Sequence, residues 1–156
     1  MTHEYYMNEA IKLSMKAVIK DLGGPFGAVI VKDGKIISKG HNKVTSNNDP
    51  TAHAEITAIR NACKTLNTFK LTGCIIYTSC EPCPMCLSAI YWSRIEKIYY
   101  ANTRTDAAKI GFDDDFIYEE LKLDNKVRKL QMEQIMRKEA LDAFQSWSIK
   151  IDKIEY

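Results

Sequence analysis

The chain has 156 residues, 46% hydrophobic and 27% charged, with 7 glycines and 4 prolines. That is the make-up of one globular domain, and it excludes disorder and low complexity. Its 22 basic and 20 acidic side chains leave a net charge of +2, too small a bias for a protein whose main partner is a nucleic acid.

In chain order, residues 4–21 have Met7, Ala10, Ile11, Met15 (or Ser14), Val18 and Ile19 at helical spacing, ended by Gly23-Gly24-Pro25. GAVIVK and KIISKG, joined by Asp33-Gly34, predict a hairpin with a type I′ turn. Residues 43–51 are loop by composition. From His53 to Leu66 the pattern is helical, with Ile56, Ile59, Cys63 and Leu66 on one face. CIIYTS (74–79) predicts a buried strand, 84–93 a short helix and 95–101 a second strand parallel to the first, because a helix separates the two. Residues 105–111 predict a turn or two of helix, and 116–121 is ambiguous. A helix over about 136–147 carries Leu141, Phe144 and Trp147 on one stripe. This order predicts a three-layer α/β/α domain with a mixed sheet. No stretch approaches the roughly 20 apolar residues of a membrane span, and the opening MTHEYYMNEA lacks an apolar signal core. The expected setting is the cytoplasm, with no membrane partner.

Five cysteines stand at 63, 74, 80, 83 and 86, an odd number that suits metal chemistry better than a disulfide framework. Two segments carry the chemistry. His53-Ala54-Glu55 and Pro82-Cys83-Pro84-Met85-Cys86 each open a predicted helix. Three residues apart in a first turn, Cys83 and Cys86 share a face, and the positive helix end favours thiolates. With a neutral His53 they form a Cys2His set for one Zn2+ that keeps a tetrahedral position for water, the arrangement of catalytic sites. Glu55, at the same helix start, can take a proton from that water and return it to a leaving group. Each motif alone is weak: CxxC also suits a redox pair and HxE arises by chance. Together they match the zinc deaminase signature. Cys63, Cys74 and Cys80 read as buried small hydrophobes, and His3 and His41 as solvated or hydrogen-bonded.

Over nearly the whole chain the sequence resembles the bacterial guanine deaminases of the cytidine deaminase superfamily. The segments that carry the resemblance are GGPFGAVIVKDG (23–34), NDPTAHAEITAIR (48–60), YTSCEPCPMCLSAIYWSR (77–94), TDAAKIGFDDDFIY (105–118) and the final Glu155-Tyr156. The first three also suit the tRNA adenosine deaminases. The resemblance implies a five-stranded mixed sheet and a homodimer in which the segment from about 121 to 156 swaps onto the partner. It implies conversion of guanine, a small purine base, to xanthine and ammonia. His53, Cys83 and Cys86 match zinc ligands, Glu55 the proton shuttle and Asp114 a second acid near the leaving amino group. Asn42 matches a hydrogen-bonding group for the purine, Phe26 an aromatic face for it, and Tyr156 a tail residue closing the partner's pocket. Ala54 and Trp92 are further substrate-contact candidates. The acidic stretch 113–120, which holds Asp113, Asp114, Asp115, Glu119 and Glu120 and no base, disfavours a polyanionic substrate.

Overall fold

The computed structural model describes residues 1–156 and divides into two compact units, Met1–Asp115 and Phe116–Tyr156. The first contains α1 (His3–Ile19), β1 (Gly27–Lys32), β2 (Lys35–His41), α2 (Val44–Asn47), α3 (Ala54–Leu66), β3 (Cys74–Cys80), α4 (Pro84–Trp92), β4 (Lys97–Asn102) and α5 (Arg104–Lys109). Helix α6 (Asp115–Lys122) begins at the boundary, and α7 (Arg137–Ile149) lies in the second unit.

Strand order is β2-β1-β3-β4. β1 runs antiparallel to β2 and β3, while β3 and β4 are parallel, as the intervening helix requires. Asp33 (φ 49°) and Gly34 (φ 72°) form the expected hairpin turn. Alternation along the strands divides the core. Ala28, Ile30 and Ile76 pack with Ala54, Ala58, Ala62 and Ile90 on the side of α3 and α4. Val29, Val31 and Tyr77 pack with Tyr6 on the side of α1. The three-layer α/β/α expectation therefore holds.

The sheet has four strands, not the expected five. After β4 the chain enters α5, whose start is fixed by a reciprocal capping box between Thr103 and Asp106. The ambiguous 116–121 segment becomes α6, with Asp115 in its first turn and Lys122 in its last, the charge order a helix dipole favours. No β-run is left to extend the sheet beyond β4. A short helix, α2, also interrupts the expected 43–51 loop.

Helix α1 forms where expected, but only part of its expected stripe, Ala10 and Ser14, faces inward. Tyr6, Ala10, Ser14 and Ala17 are buried, whereas Ile11, Met15, Val18 and Ile19 are exposed. Backbone proximity decides this. A Cβ on Gly27 would overlap the Ala10 carbonyl and the Ser14 amide, so only small residues fit at that crossing. Gly40 makes the equivalent approach to Ala54 and Ala58 of α3.

In the second unit, Arg128 donates to the carbonyls of Glu120 (3.0 Å), Leu121 (3.3 Å) and Leu123 (3.1 Å), closing the C-terminal end of α6. The Lys129 N–H donates to the Glu120 carboxylate at 2.7 Å. Not one residue from Phe116 to Tyr156 is buried, and Phe144, Trp147, Ile149, Ile151 and Ile154 are exposed.

Candidate metal and active site

His53 is the N-cap of α3 and Cys83 the N-cap of α4, and neither side chain caps its own helix. Each is thereby free to point off the helix end. Pro84 opens α4, where its missing N–H costs nothing, and Cys86 follows within the first turn. His53 Nδ1 lies 3.6 Å from Cys83 Sγ and 3.5 Å from Cys86 Sγ. Tetrahedral Zn–S and Zn–N bonds of ordinary length place such atoms about 3.6 Å apart. The three donor atoms lie within 4.8 Å of one another, so the set has the size and the chemistry of a zinc site.

The electrostatics agree with that. Hydrogen bonds from Cys86 and His53 pull the Cys83 thiol down to about 4. The thiol of Cys86 is pushed up, first because it donates to Cys83 and then by burial. The hydrogen bond to Cys83 raises His53. Two sulfurs thus share one proton at the N-terminus of α4, facing His53 at the N-terminus of α3, and a divalent cation would displace it.

Glu55 is buried in the first turn of α3, and its burial raises its pKa. Oε2 meets Cys86 Sγ at 3.4 Å, and Oε1 accepts from the Thr78 hydroxyl at 3.2 Å. Of the three consecutive aspartates, Asp115 pairs with Arg104 at 3.3 Å. Asp114 instead holds a buried carboxylate oxygen, Oδ1, that has no partner. Burial raises its pKa, and its charge is felt by His53 and Cys80. An oxygen so placed can accept a hydrogen bond from a ligand or a water.

Asn42 is buried at the end of β2. Its Oδ1 accepts from the N–H groups of Gly24 (3.2 Å) and Val44 (3.1 Å), and its own N–H donates to the Phe26 carbonyl at 3.0 Å. Those two amides fix the orientation of the side chain, so Asn42 has its NH2 to offer a ligand, and its carbonyl is already used. Phe26 meets Phe112 edge to face, with ring centroids 4.9 Å apart. Ala54, at the first position of α3, has an N–H without an intrahelical acceptor. Trp92 ends α4, about 9 Å along the helix axis from Cys86, and is 62% exposed, so the chain does not bring it to the metal ligands. Tyr156 belongs to the second unit.

Cys74 and Cys80 are buried and Cys63 half-buried, all three without disulfides. His3 bonds the Tyr77 hydroxyl at 2.7 Å. His41 departs from expectation: its Nδ1 is buried without a partner, and burial lowers its pKa. Sequence reasoning missed Thr78 and Phe112. Strand alternation could have found the first, because 74, 76, 78 and 80 share the face that leads to the PCxxC turn.

Residues 1–102 match the cytidine and deoxycytidylate deaminase zinc-binding region. A guanine deaminase of Bacillus subtilis (strain 168) is 53% identical over 156 residues, 100% of both chains. The X-ray structure of guanine deaminase from Bacillus subtilis superposes with a TM-score of 0.97, covering 100% of this chain and 99% of that one at 53% identity. A tRNA-specific adenosine deaminase of Aquifex aeolicus (strain VF5) is 48% identical over 101 residues, 65% of this chain and 66% of its own. No helix is long and apolar enough to cross a membrane.

Proposed function

The chain belongs to the cytidine and deoxycytidylate deaminase zinc-binding family, and from that membership we propose that it hydrolyses guanine to xanthine and ammonia in purine breakdown. One observation carries the choice of substrate. The likeness to a guanine deaminase runs through all 156 residues, whereas the likeness to a tRNA adenosine deaminase covers 101. The match to the family's zinc-binding region ends at residue 102, and Asp114 with its orphaned oxygen lies beyond it.

His53, Cys83 and Cys86 would hold the zinc, which when bound would supply a Lewis acid that lowers the pKa of a water molecule toward neutrality. Glu55 accepts the proton of the attacking water and passes it to the ring nitrogen next to the amino-bearing carbon. The hydroxyl now on that carbon then gives its proton to Glu55 or Asp114, the amino group gains a proton from the same acid, and the C–N bond breaks as the C=O bond forms, so that ammonia leaves. Water and guanine thereby give xanthine and ammonia with no other reactant. The Asn42 NH2 donates to an acceptor on the purine, the Ala54 N–H is a second donor, and Phe26, buttressed by Phe112, offers an aromatic face. Burial of Glu55 and Asp114 favours the protonated forms that deliver protons to a leaving group.

We further propose a homodimer in which the segment from about 121 to 156 lies on the partner, with Tyr156 over the partner's pocket. The exposed apolar side chains of the second unit, among them Leu130, Phe144, Ile149 and Ile151, support this, because a segment without a core needs another surface to bury them. A cytoplasmic setting suits five cysteines without a disulfide. The deciding experiment is ammonia release from guanine, guanosine, adenine, cytosine, cytidine and an adenosine-bearing tRNA hairpin. Guanine is expected to be the best substrate, and turnover of the hairpin alone would overturn the reading.

A further inference from the structure

Thr78 is fully buried on β3, on the same face of the sheet as Cys80. Its hydroxyl lies 3.2 Å from Glu55 Oε1 and 3.0 Å from the Cys80 carbonyl oxygen. The second oxygen of Glu55 meets Cys86 Sγ at 3.4 Å. Thr78 and Cys86 are thus the two side chains bonded to the Glu55 carboxylate. A sulfur that ligates a metal has no proton left to give, so in the zinc-loaded protein only Thr78 of this pair can donate, its single hydroxyl proton lying between Oε1 and the Cys80 carbonyl oxygen. The terminal torsion of a glutamate is broad, and the Cα–Cβ bond of a β-branched threonine is stiff. The rigid strand residue can therefore fix the plane of the softer carboxylate.

We propose that Thr78 is a positioning residue: its hydroxyl holds Oε1 so that Oε2 is turned toward the metal ligands and the water there. The proposal rests on reading Glu55 as the proton shuttle. Geometry gives the reason the position matters. A general base works only within hydrogen-bond reach of the proton it takes, and a misplacement of about 1 Å can cost roughly 100-fold in rate. Valine would fill the same space as threonine but leave Oε1 without this donor.

The test compares zinc-loaded wild type, Thr78→Val, Thr78→Ser, Glu55→Ala and the Thr78→Val/Glu55→Ala double variant. Zinc per chain, kcat and KM for guanine, and Tm at a fixed excess of zinc are read for each. Thr78→Val is expected to keep its zinc and its KM while kcat falls by about 10- to 100-fold. Thr78→Ser, which retains the hydroxyl, should recover most of kcat. The Tm drop caused by Thr78→Val should be larger in the wild-type background than in Glu55→Ala, since only the former loses the contact. Wild-type kcat in Thr78→Val, a Ser variant no faster than Val, or equal Tm drops in both backgrounds would each overturn the proposal. If Val does not fold, Thr78→Ala carries the same comparisons against Ser. A wild type that does not turn over guanine counts against the guanine reading, and the Tm comparison then decides the Thr78 contact by itself.

Discussion

Glutamine at position 55 keeps the length and hydrogen-bonding reach of glutamate and removes the basic oxygen. Glu55→Gln should therefore fold and hold zinc while kcat drops by about 10²- to 10⁴-fold, the usual range for a general acid–base group, as steady-state ammonia release and metal content will show. Cys83→Ala and Cys86→Ala should lose most of the metal, while Cys80→Ala, whose thiol is held up to about 11 by burial, should keep it. Acid works in the same direction as the ligand variants. Each ligand must lose a proton to bind, and Cys83 stays ionised down to about 4. Zinc should therefore leave progressively as pH falls from neutral toward that value, with His53 protonating before Cys83; a chromogenic chelator titration follows the release. These donors were legible in the sequence because spacing at a helix start dictates their geometry. The choice among Asp113, Asp114 and Asp115 was not, because it depends on which side chain finds Arg104 and which is buried without a partner.

At the scale of elements, the hairpin, α3, β3 and α4 were readable because turn chemistry and periodicity act over a few residues. The inward face of α1 was not. Apolar spacing pointed to Ala10, Ile11, Met15 (or Ser14) and Val18; contact between backbones kept Ala10 and Ser14, added Ala17 and left Ile11, Met15 and Val18 exposed. The same effect makes Gly40 testable. Alanine there would drive a methyl into the Ala54 carbonyl and the Ala58 amide, at a cost of about 1–3 kcal/mol by the usual scale for overpacking. The strain falls on the first turn of α3, which carries His53 and Glu55. Gly40→Ala should lower both the urea midpoint and the zinc affinity, and a variant less stable but with unchanged zinc affinity would place the strain elsewhere. Segment 116–121 was ambiguous because Phe116, Ile117 and Leu121 fit either period until the end charges of α6 are considered.

Taken whole, the molecule pairs a cored unit with one that has no buried residue. That contrast could not be read from composition, because the stripe of Leu141, Phe144 and Trp147 looks the same whether or not something covers it. If a second copy covers it, sedimentation should give a dimer, and deletion of Ile154–Tyr156 should leave zinc in place while turnover falls; full activity after the deletion would remove the lid role. The paired glycines have a consequence of a different kind. Gly27 meets α1 on one face of the sheet and Gly40 meets α3 on the other, so the gaps between layers are set by main chain resting on main chain, like plates on fixed spacers. Side-chain drift in the core can alter stability without changing those gaps. The start of α3, which carries His53 and Glu55, keeps its height above the sheet while the interior varies, and the proposed substrate contacts Phe26, Asn42 and Asp114 can change without touching either spacer.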